Sequence, residues 1–371
     1  MSRAGPALQV LAGPRARALM LERGLQAVDV RAIPAAAGGA KGLVLNPLDR
    51  MLFGSWLSAA PQTVHLLGAS IGAWRMAAAM LPDADAALAQ VAEDYITQDY
   101  QHRPGKAPSA RHVSEVFGRK IEERLGRRAH ELLAHPRWRL HVFTSHGRHL
   151  LRRQGRVRTA AGYIGAFVAN AASRRALAGF LDRVVFADPR DPLPFPLTDF
   201  RTHRVTLTVG NLAPALLASC SIPFLLDAVH DIPGGPPGAY WDGGITDYHL
   251  HLDYAAMDQG PVPGWGGGPG LVLYPHFHSQ VVPGWLDKAW KRRHRASPML
   301  DNLVVLAPHP AWIQRLPGGK LPSRADFKTF GDDKAGRMRA WRRALAESQR
   351  LADEFAELVA RGSPVHAHAL T

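Results

Sequence analysis

Two stretches near the amino-terminal end repeat one order of events: an apolar run, a glycine turn, then a helix-forming segment. Val28-Asp-Val-Arg-Ala-Ile-Pro-Ala reads as a strand running into Gly38-Gly-Ala-Lys-Gly42, and a helix is expected from there to about Leu57. Thr63-Val-His-Leu-Leu is a β-branched and apolar run that ends at Gly68-Ala-Ser-Ile-Gly72, and Ala73-Trp-Arg-Met-Ala-Ala-Ala-Met after it favours helix. This alternation predicts an α/β protein with a central, mainly parallel sheet between helical layers. Further strands are expected at Leu140–Thr144, Val184–Ala187, Val205–Val209, Leu271–Tyr274 and Leu303–Leu306, and a helical lead-in at about Arg15–Gln26.

Residues 82–137 are polar, charged and helix-prone with no strand-like run, which predicts a helical insertion beside the sheet that could act as a lid. Pro and Gly mark loops at Asp231–Gly238 and Gly260–Gly270, the second around Trp265. From 325 to 361 a long helix is expected, with apolar residues three and four apart over Leu345–Val359. The 371 residues, 46% of them hydrophobic, suit a single domain with a core over 26–310 and these appendages. One cysteine, Cys220, excludes disulfide-stapled scaffolds and cysteine-rich zinc modules and reads as a small buried side chain. Met1-Ser-Arg-Ala-Gly-Pro lacks the apolar run of a signal peptide, and the longest weakly apolar stretch, Ala160–Ala172, is too short to span a membrane; a cytoplasmic location is expected.

Three glycine motifs carry candidate chemistry. In Gly68-Ala69-Ser70-Ile71-Gly72 the order strand, Gly-x-Ser-x-Gly, helix pushes a serine hydroxyl out of the carboxyl edge of the sheet. There the Ile71 N–H and the helix dipole face any anion that develops. Gly38-Gly39-Ala40-Lys41-Gly42 can turn consecutive N–H groups into one concavity. Its lysine stands too early for a nucleotide-binding loop. Tyr240-Trp241-Asp242-Gly243-Gly244 places an aspartate at the end of an apolar run.

In this order the three motifs resemble the patatin-like phospholipase family, in which a glycine-rich oxyanion loop precedes Gly-x-Ser-x-Gly and then Asp-Gly-Gly. Ala215-Leu-Leu-Ala-Ser-Cys-Ser-Ile-Pro223 is similar to the small-residue segment that precedes the family's aspartate strand. The resemblance extends from about Val28 to Asp247. It departs at Ala37, where a third glycine is commoner, at Lys41, where arginine is usual, and at Asp247, where asparagine is often found.

The resemblance implies a serine acyl hydrolase acting on lipid esters. Ser70 would be the nucleophile and Asp242 its base. Gly38, Gly39, Ala40 and Ile71 would form the oxyanion hole, and Lys41, Gly42, Gly68, Gly72, Gly243 and Gly244 would support the motifs. No metal or cofactor is needed for that chemistry. A Ser-His-Asp α/β-hydrolase is the rival enzyme, but only one clear strand precedes the one carrying Ser70, and none of His276, His278, His309, His366 and His368 is marked as a base. A non-catalytic membrane-binding or scaffold protein that keeps the fold is the other alternative.

The formal net charge of +14 points to anionic partners. Trp285, Trp290, Lys291, Arg292 and Arg293 combine aromatic and cationic groups as an interfacial helix at an acidic membrane would, with core packing of the tryptophans as the plainer reading. No nucleic-acid-binding module is recognisable. His249, His251 and Asp253 would share one face if they lay on a strand, as metal ligands or, more simply, as a solvent-facing edge.

Overall fold

The computed structural model describes residues 5–102, 108–258 and 270–371; residues 260–269 of the second expected loop, Trp265 among them, lie outside these. Among the described residues one sheet is built from β1 (Leu8–Ala12), β2 (Val30–Ala35), β3 (Val64–Ala69), β4 (Trp138–Gly147), β5 (Leu181–Ala187), β6 (Thr202–Thr206), β7 (Val229–His230), β8 (Ala239–Trp241), β9 (Leu271–Pro275), β10 (Leu303–Pro308) and β11 (His368–Ala369). The order across it is β11, β1, β10, β9, β2, β3, β4, β5, β6. The centre, β10 to β4, is parallel, while β1 on one side and β5 on the other run antiparallel to their inner neighbours. Every residue of β3, β4, β9 and β10 is buried. Strands covered on both faces read as near-continuous apolar runs, which is why these were visible in the sequence.

Two glycines bring the second strand-turn-helix unit together. A Cβ on Gly72 would overlap the carbonyl oxygen of Ala35, and one on Gly68 would overlap the backbone of Ala73. The helix Ile71–Ala79 can therefore start directly against the carboxyl ends of β2 and β3. On its far side Arg75 forks onto Asp49 of the helix Asn46–Met51, with Nε to Oδ2 at 2.7 Å and Nη2 to Oδ1 at 2.8 Å. Both side chains are buried, and burial pushes the Asp49 carboxyl upward against the pull of Arg75. This ion pair ties the segment after the first glycine loop to the helix after the second.

Some expected boundaries change. The segment after Gly38 is a 3₁₀-helix over Gly39–Leu45, then the helix Asn46–Met51 and a π-helical turn at Leu52–Trp56. The strand expected at Val205–Val209 ends at Thr206, because Thr208 and Asn211 exchange capping hydrogen bonds and start the helix Val209–Cys220. The long helix expected over 325–361 is three: Ala325–Phe330, Lys334–Glu347 and Gln349–Ala360. Gly331, at a left-handed φ of 52°, ends the first, and the Asp333 carboxylate caps the second by accepting the Gly336 N–H. Residues 82–137 contain the helices Ala84–Ile96, Ala110–Arg124 and Ala129–Ala134. No helix among the described residues is long and apolar enough to cross a membrane.

Arg75→Met strands the Asp49 carboxylate in the core and is expected to cost about 3–5 kcal/mol. The double variant Arg75→Met/Asp49→Leu should recover most of that loss, as urea unfolding of the two variants will show.

Candidate active site

The register of β4 places Ser70 beside Asp242. One edge of β4 pairs with β5 over His141–Gly147. The other edge takes β3 as far as Phe143, opposite Ala69, and takes β8 from Ser145, opposite Trp241. Parallel β3 and antiparallel β8 thus run towards each other in one lane, and the residues that follow them, Ser70 and Asp242, meet at the gap. The Ser70 hydroxyl donates to Asp242 Oδ2 at 2.8 Å.

Three serines hold that meeting. Ser219 Oγ accepts the Ser70 N–H at 2.8 Å and donates to the Phe143 carbonyl at 2.7 Å. The Asp242 N–H donates to the Ser221 carbonyl at 2.9 Å, and Ser145 Oγ donates to the Asp242 carbonyl at 2.9 Å. Ser219 and Ser221 explain the small residues of the 215–223 segment: that helix end lies against the gap, where a Cβ on Gly243 would overlap the Phe143 carbonyl. Ser70 itself has φ 56° and ψ −131°, a conformation that disfavours every residue but glycine.

Only 5% of Ser70 and 6% of Asp242 is exposed. Burial raises the Asp242 carboxyl to about 6, opposed by the hydrogen bond from Ser70, the charge of Arg324, the Gly244 N–H and the charge of Lys288. Asp242 Oδ1 accepts that Gly244 N–H at 2.7 Å, which leaves Oδ2 to the serine. Such a carboxylate is ionised at neutral pH and is more basic than an exposed aspartate.

The glycine loop lies against the same gap. Gly39 has a left-handed φ of 58°, and a Cβ on Gly38 would overlap the Phe277 ring. Gly39 and Ala40 open the 3₁₀-helix, and Ile71 opens the helix behind Ser70, so their N–H groups precede the first closed turns. Ala37 occupies the place of a third glycine; its N–H donates to the Tyr248 carbonyl, and its methyl needs Gly244 opposite, where a Cβ would collide with it. Gly42, by contrast, has room for a methyl group. Lys41 reaches the cavity beside Ser70 with its Nζ 5.4 Å from the Phe277 ring centre, and burial lowers its pKa.

Two cavities open on Ser70. The first, of about 260 Å³, has Lys41, Asp242, Tyr248, Trp285, Lys288 and Arg324 in its walls. The second, of about 280 Å³, is mostly apolar, with walls that include Tyr95, Val113, Phe117, Ile222 and Phe327, and it shares Arg324 with the first. Cys220 stands on the second, its thiol pushed up by burial. Val113 and Phe117 come from the inserted helix Ala110–Arg124. Among the described residues no histidine lines either cavity. Lys288, Arg324 and Ser219 carry no motif; the neighbourhood of Ser219 was marked in the sequence by its run of small residues, and that of Lys288 only as part of the aromatic and cationic segment around Trp285 and Trp290.

Other expectations are redirected by the structure. Trp285–Asp287 and Lys291–His294 are separate 3₁₀ turns, so no interfacial helix exists there. Arg293 is engaged with buried Asp287, Nη1 to Oδ1 at 2.7 Å, and with the carbonyls of Asn170 and Ala171, while Trp290 is half-buried; Lys291 and Arg292 remain exposed. Asp287 also takes Asn170 and Arg174, and this hub fixes the Trp285 turn to the helix Arg156–Ala172. His249, His251 and Asp253 follow no strand, since Leu250 turns the chain at φ 48°, and the described residues contain no group of metal ligands. Asp247 is buried against Arg183, Oδ2 to Nε at 2.8 Å, a structural ion pair.

The central, mostly parallel sheet between helices is the α/β architecture of the patatin type. The family model described as patatin-like phospholipase matches residues 50–250, and the chain belongs to that family. No curated protein matches it in sequence. Among solved structures, VipD from Legionella pneumophila is similar at 12% identity over 95% of this chain and 72% of its own, with a TM-score of 0.36.

The backbone at residue 70 yields a stability test. Ser70→Gly removes the left-handed penalty and should be more stable than Ser70→Ala by about 1–3 kcal/mol. Thermal or urea unfolding of the two variants measures this; equal stability contradicts the strain.

Proposed function

We propose that the protein hydrolyses an ester bond of a lipid with Ser70 as nucleophile and Asp242 as the base that takes its proton without an intervening imidazole. The carrying observation is the 2.8 Å hydrogen bond from Ser70 to a buried carboxylate with a pKa of about 6. Ser70 Oγ attacks the acyl carbon as its proton passes to Asp242 Oδ2. The carbonyl oxygen becomes an oxyanion against the N–H groups of Gly38, Gly39, Ala40 and Ile71. Collapse returns the proton to the leaving alcohol and leaves an acyl-Ser70 ester. Water then attacks that ester as Asp242 takes its proton, and collapse of the intermediate releases the fatty acid while Asp242 returns the proton to Ser70 Oγ. The apolar cavity beside Ser70 suits the acyl chain.

Ser70→Ala and Asp242→Asn should each lower turnover of a nitrophenyl butyrate ester by about 10³-fold or more with folding intact. For the wild type, kcat/KM should rise with pH and level off above about 6, because the base must be ionised. Undiminished turnover in Asp242→Asn removes Asp242 as the base.

We also propose that the entrance docks on an acidic membrane. Along the helix Arg156–Ala172, Val157, Ala161, Ile164 and Val168 follow helical spacing yet face solvent, with exposures of 80% at Val157, 67% at Ile164 and 62% at Val168. This band continues through exposed Phe224, whose ring centre lies 6.2 Å from that of Tyr163, to Leu225 and Trp285 at the cationic cavity. Exposed Arg152, Arg153, Arg156 and Arg175 flank it, as acidic headgroups require. Sedimentation with vesicles of phosphatidylcholine, with and without phosphatidylglycerol, tests this. Binding should need the acidic lipid and fall in Ile164→Asp/Val168→Asp; binding indifferent to both overturns the docking face.

A further inference from the structure

Among the described residues four line both cavities that open on Ser70: Ser70 itself, Ile222, Leu225 and Arg324. Arg324, which precedes the helix Ala325–Phe330, is the one charged side chain of the four. It stands at the junction of the two cavities, where a substrate lying across Ser70 has its reacting carbonyl. The side chain packs on the glycine loop. A Cβ added to Gly39 would stand 3.2 Å from Arg324 Nε, 3.8 Å from its Cγ and 3.1 Å from the Tyr95 hydroxyl. Gly39 is a loop residue whose N–H precedes the first closed turn, so the guanidinium lies next to the donors that face Ser70.

The backbone under Arg324 is fixed. Buried Asp326 accepts the Ser323 N–H at 2.9 Å and the Trp341 indole N–H at 2.9 Å, and pairs with Lys320. Phe327, a wall of the apolar cavity, meets the Trp341 ring edge-on with centres 5.5 Å apart. Among the described residues no carboxylate forms an ion pair with Arg324. The one acid on the cavity walls, Asp242, is bonded to Ser70 and the Gly244 N–H. Arg324 still acts on it: burial pushes the Asp242 carboxyl up, and the charge of Arg324 is among the effects that pull it back.

Arg324 is exposed in the open site, where water screens its charge. An ester that fills the two cavities displaces that water, and the same charge then acts through a medium of lower dielectric constant. The carbonyl oxygen begins neutral and becomes an anion as Ser70 attacks. A cation beside it therefore favours the transition state above the bound ester. We propose that Arg324 is a catalytic residue of the acyl transfer, its guanidinium stabilising the oxyanion together with the N–H groups of the glycine loop. This role deepens the hydrolytic reading of Ser70 and rests on it. Arg324 lies outside residues 50–250, so the charge comes from the carboxyl-terminal part of the chain and not from the span that matches the family.

The test uses full-length protein and nitrophenyl butyrate, an uncharged ester with no anion to bind in the ground state. In Arg324→Met kcat should fall by about 10- to 100-fold while KM stays within about threefold. Arg324→Lys keeps the charge without the planar fork and should recover at least about threefold of that loss. The pH profile gives a readout that lost packing does not move. With Arg324 gone and Lys288 remaining, the Asp242 carboxyl rises, so the pH at which kcat/KM levels off moves upward in Arg324→Met and stays near the wild-type value of about 6 in Arg324→Lys. Butylboronic acid binds a serine as a tetrahedral anion, here with the Ser70 proton passing to Asp242, and its inhibition constant should weaken about tenfold or more in Arg324→Met.

Wild-type kcat and boronate affinity in Arg324→Met, or a loss confined to KM, overturns the role. So does a fall in kcat that Arg324→Lys does not recover and that leaves the pH profile in place, since that is the signature of packing alone. A wild type without turnover refutes the hydrolytic reading itself, whereas an active wild type beside an equally active Arg324→Met refutes the role of Arg324 alone.

Discussion

The structure turns on one hydrogen bond made where water is excluded, between the hydroxyl of Ser70 and a carboxylate of Asp242. Removing a carboxylate from water costs free energy, and here the cost is visible as a raised pKa. It is offset locally by the Ser70 hydroxyl and the Gly244 N–H, and at longer range by Arg324 and Lys288. A charge so placed needs a stiff surround, and the lane along β4 supplies one. Two strand ends face each other across a single residue, and three serine side chains or carbonyls fasten both ends to β4 and to the helix Val209–Cys220. The left-handed backbone of Ser70 is sustained by the same fastening.

Around this pair the molecule divides its tasks by position in the chain. The amino-terminal glycine loop lays N–H groups beside the serine and is locked to the helix that follows Ser70 from behind by Asp49 and Arg75. The inserted helix Ala110–Arg124 walls an apolar cavity, Lys41 and Lys288 bring positive charge to the other, and Arg324 borders both. The family match supports a lipid acyl hydrolase, and Ser70 and Asp242 both lie inside the matched span.

Much of this was legible in the sequence, for reasons that differ by element. Central strands such as β3, β9 and β10 were readable because burial on both faces demands continuous apolar runs. The three glycine motifs were readable because close approach at Gly68, Gly72 and Gly243 leaves no room for a side chain, so the sequence has no choice there. The two-residue strands β7 and β11 are too short to leave a pattern and were missed, as was β1, although four of its five residues are buried. The basic turn at 285–295 misled because its composition is that of an amphipathic helix, whereas buried Asp287 takes up Arg293 and breaks the segment into turns. The apolar face of the helix Arg156–Ala172 could not be told from a core-facing stripe, since periodicity records which residues share a face and not what covers it. Arg324 carries no local signature, and Lys288 was marked only as part of the basic segment; the folded chain brings both to Ser70.

The most direct measurement is the rate at which a fluorophosphonate inactivates the protein as a function of pH, with the adduct located by peptide mass spectrometry. A single adduct on Ser70, forming at a rate that falls as pH drops through about 6 and that collapses in Asp242→Asn, is the predicted result. An adduct on another residue, or a rate on Ser70 that is unchanged when Asp242 loses its charge, would contradict the account.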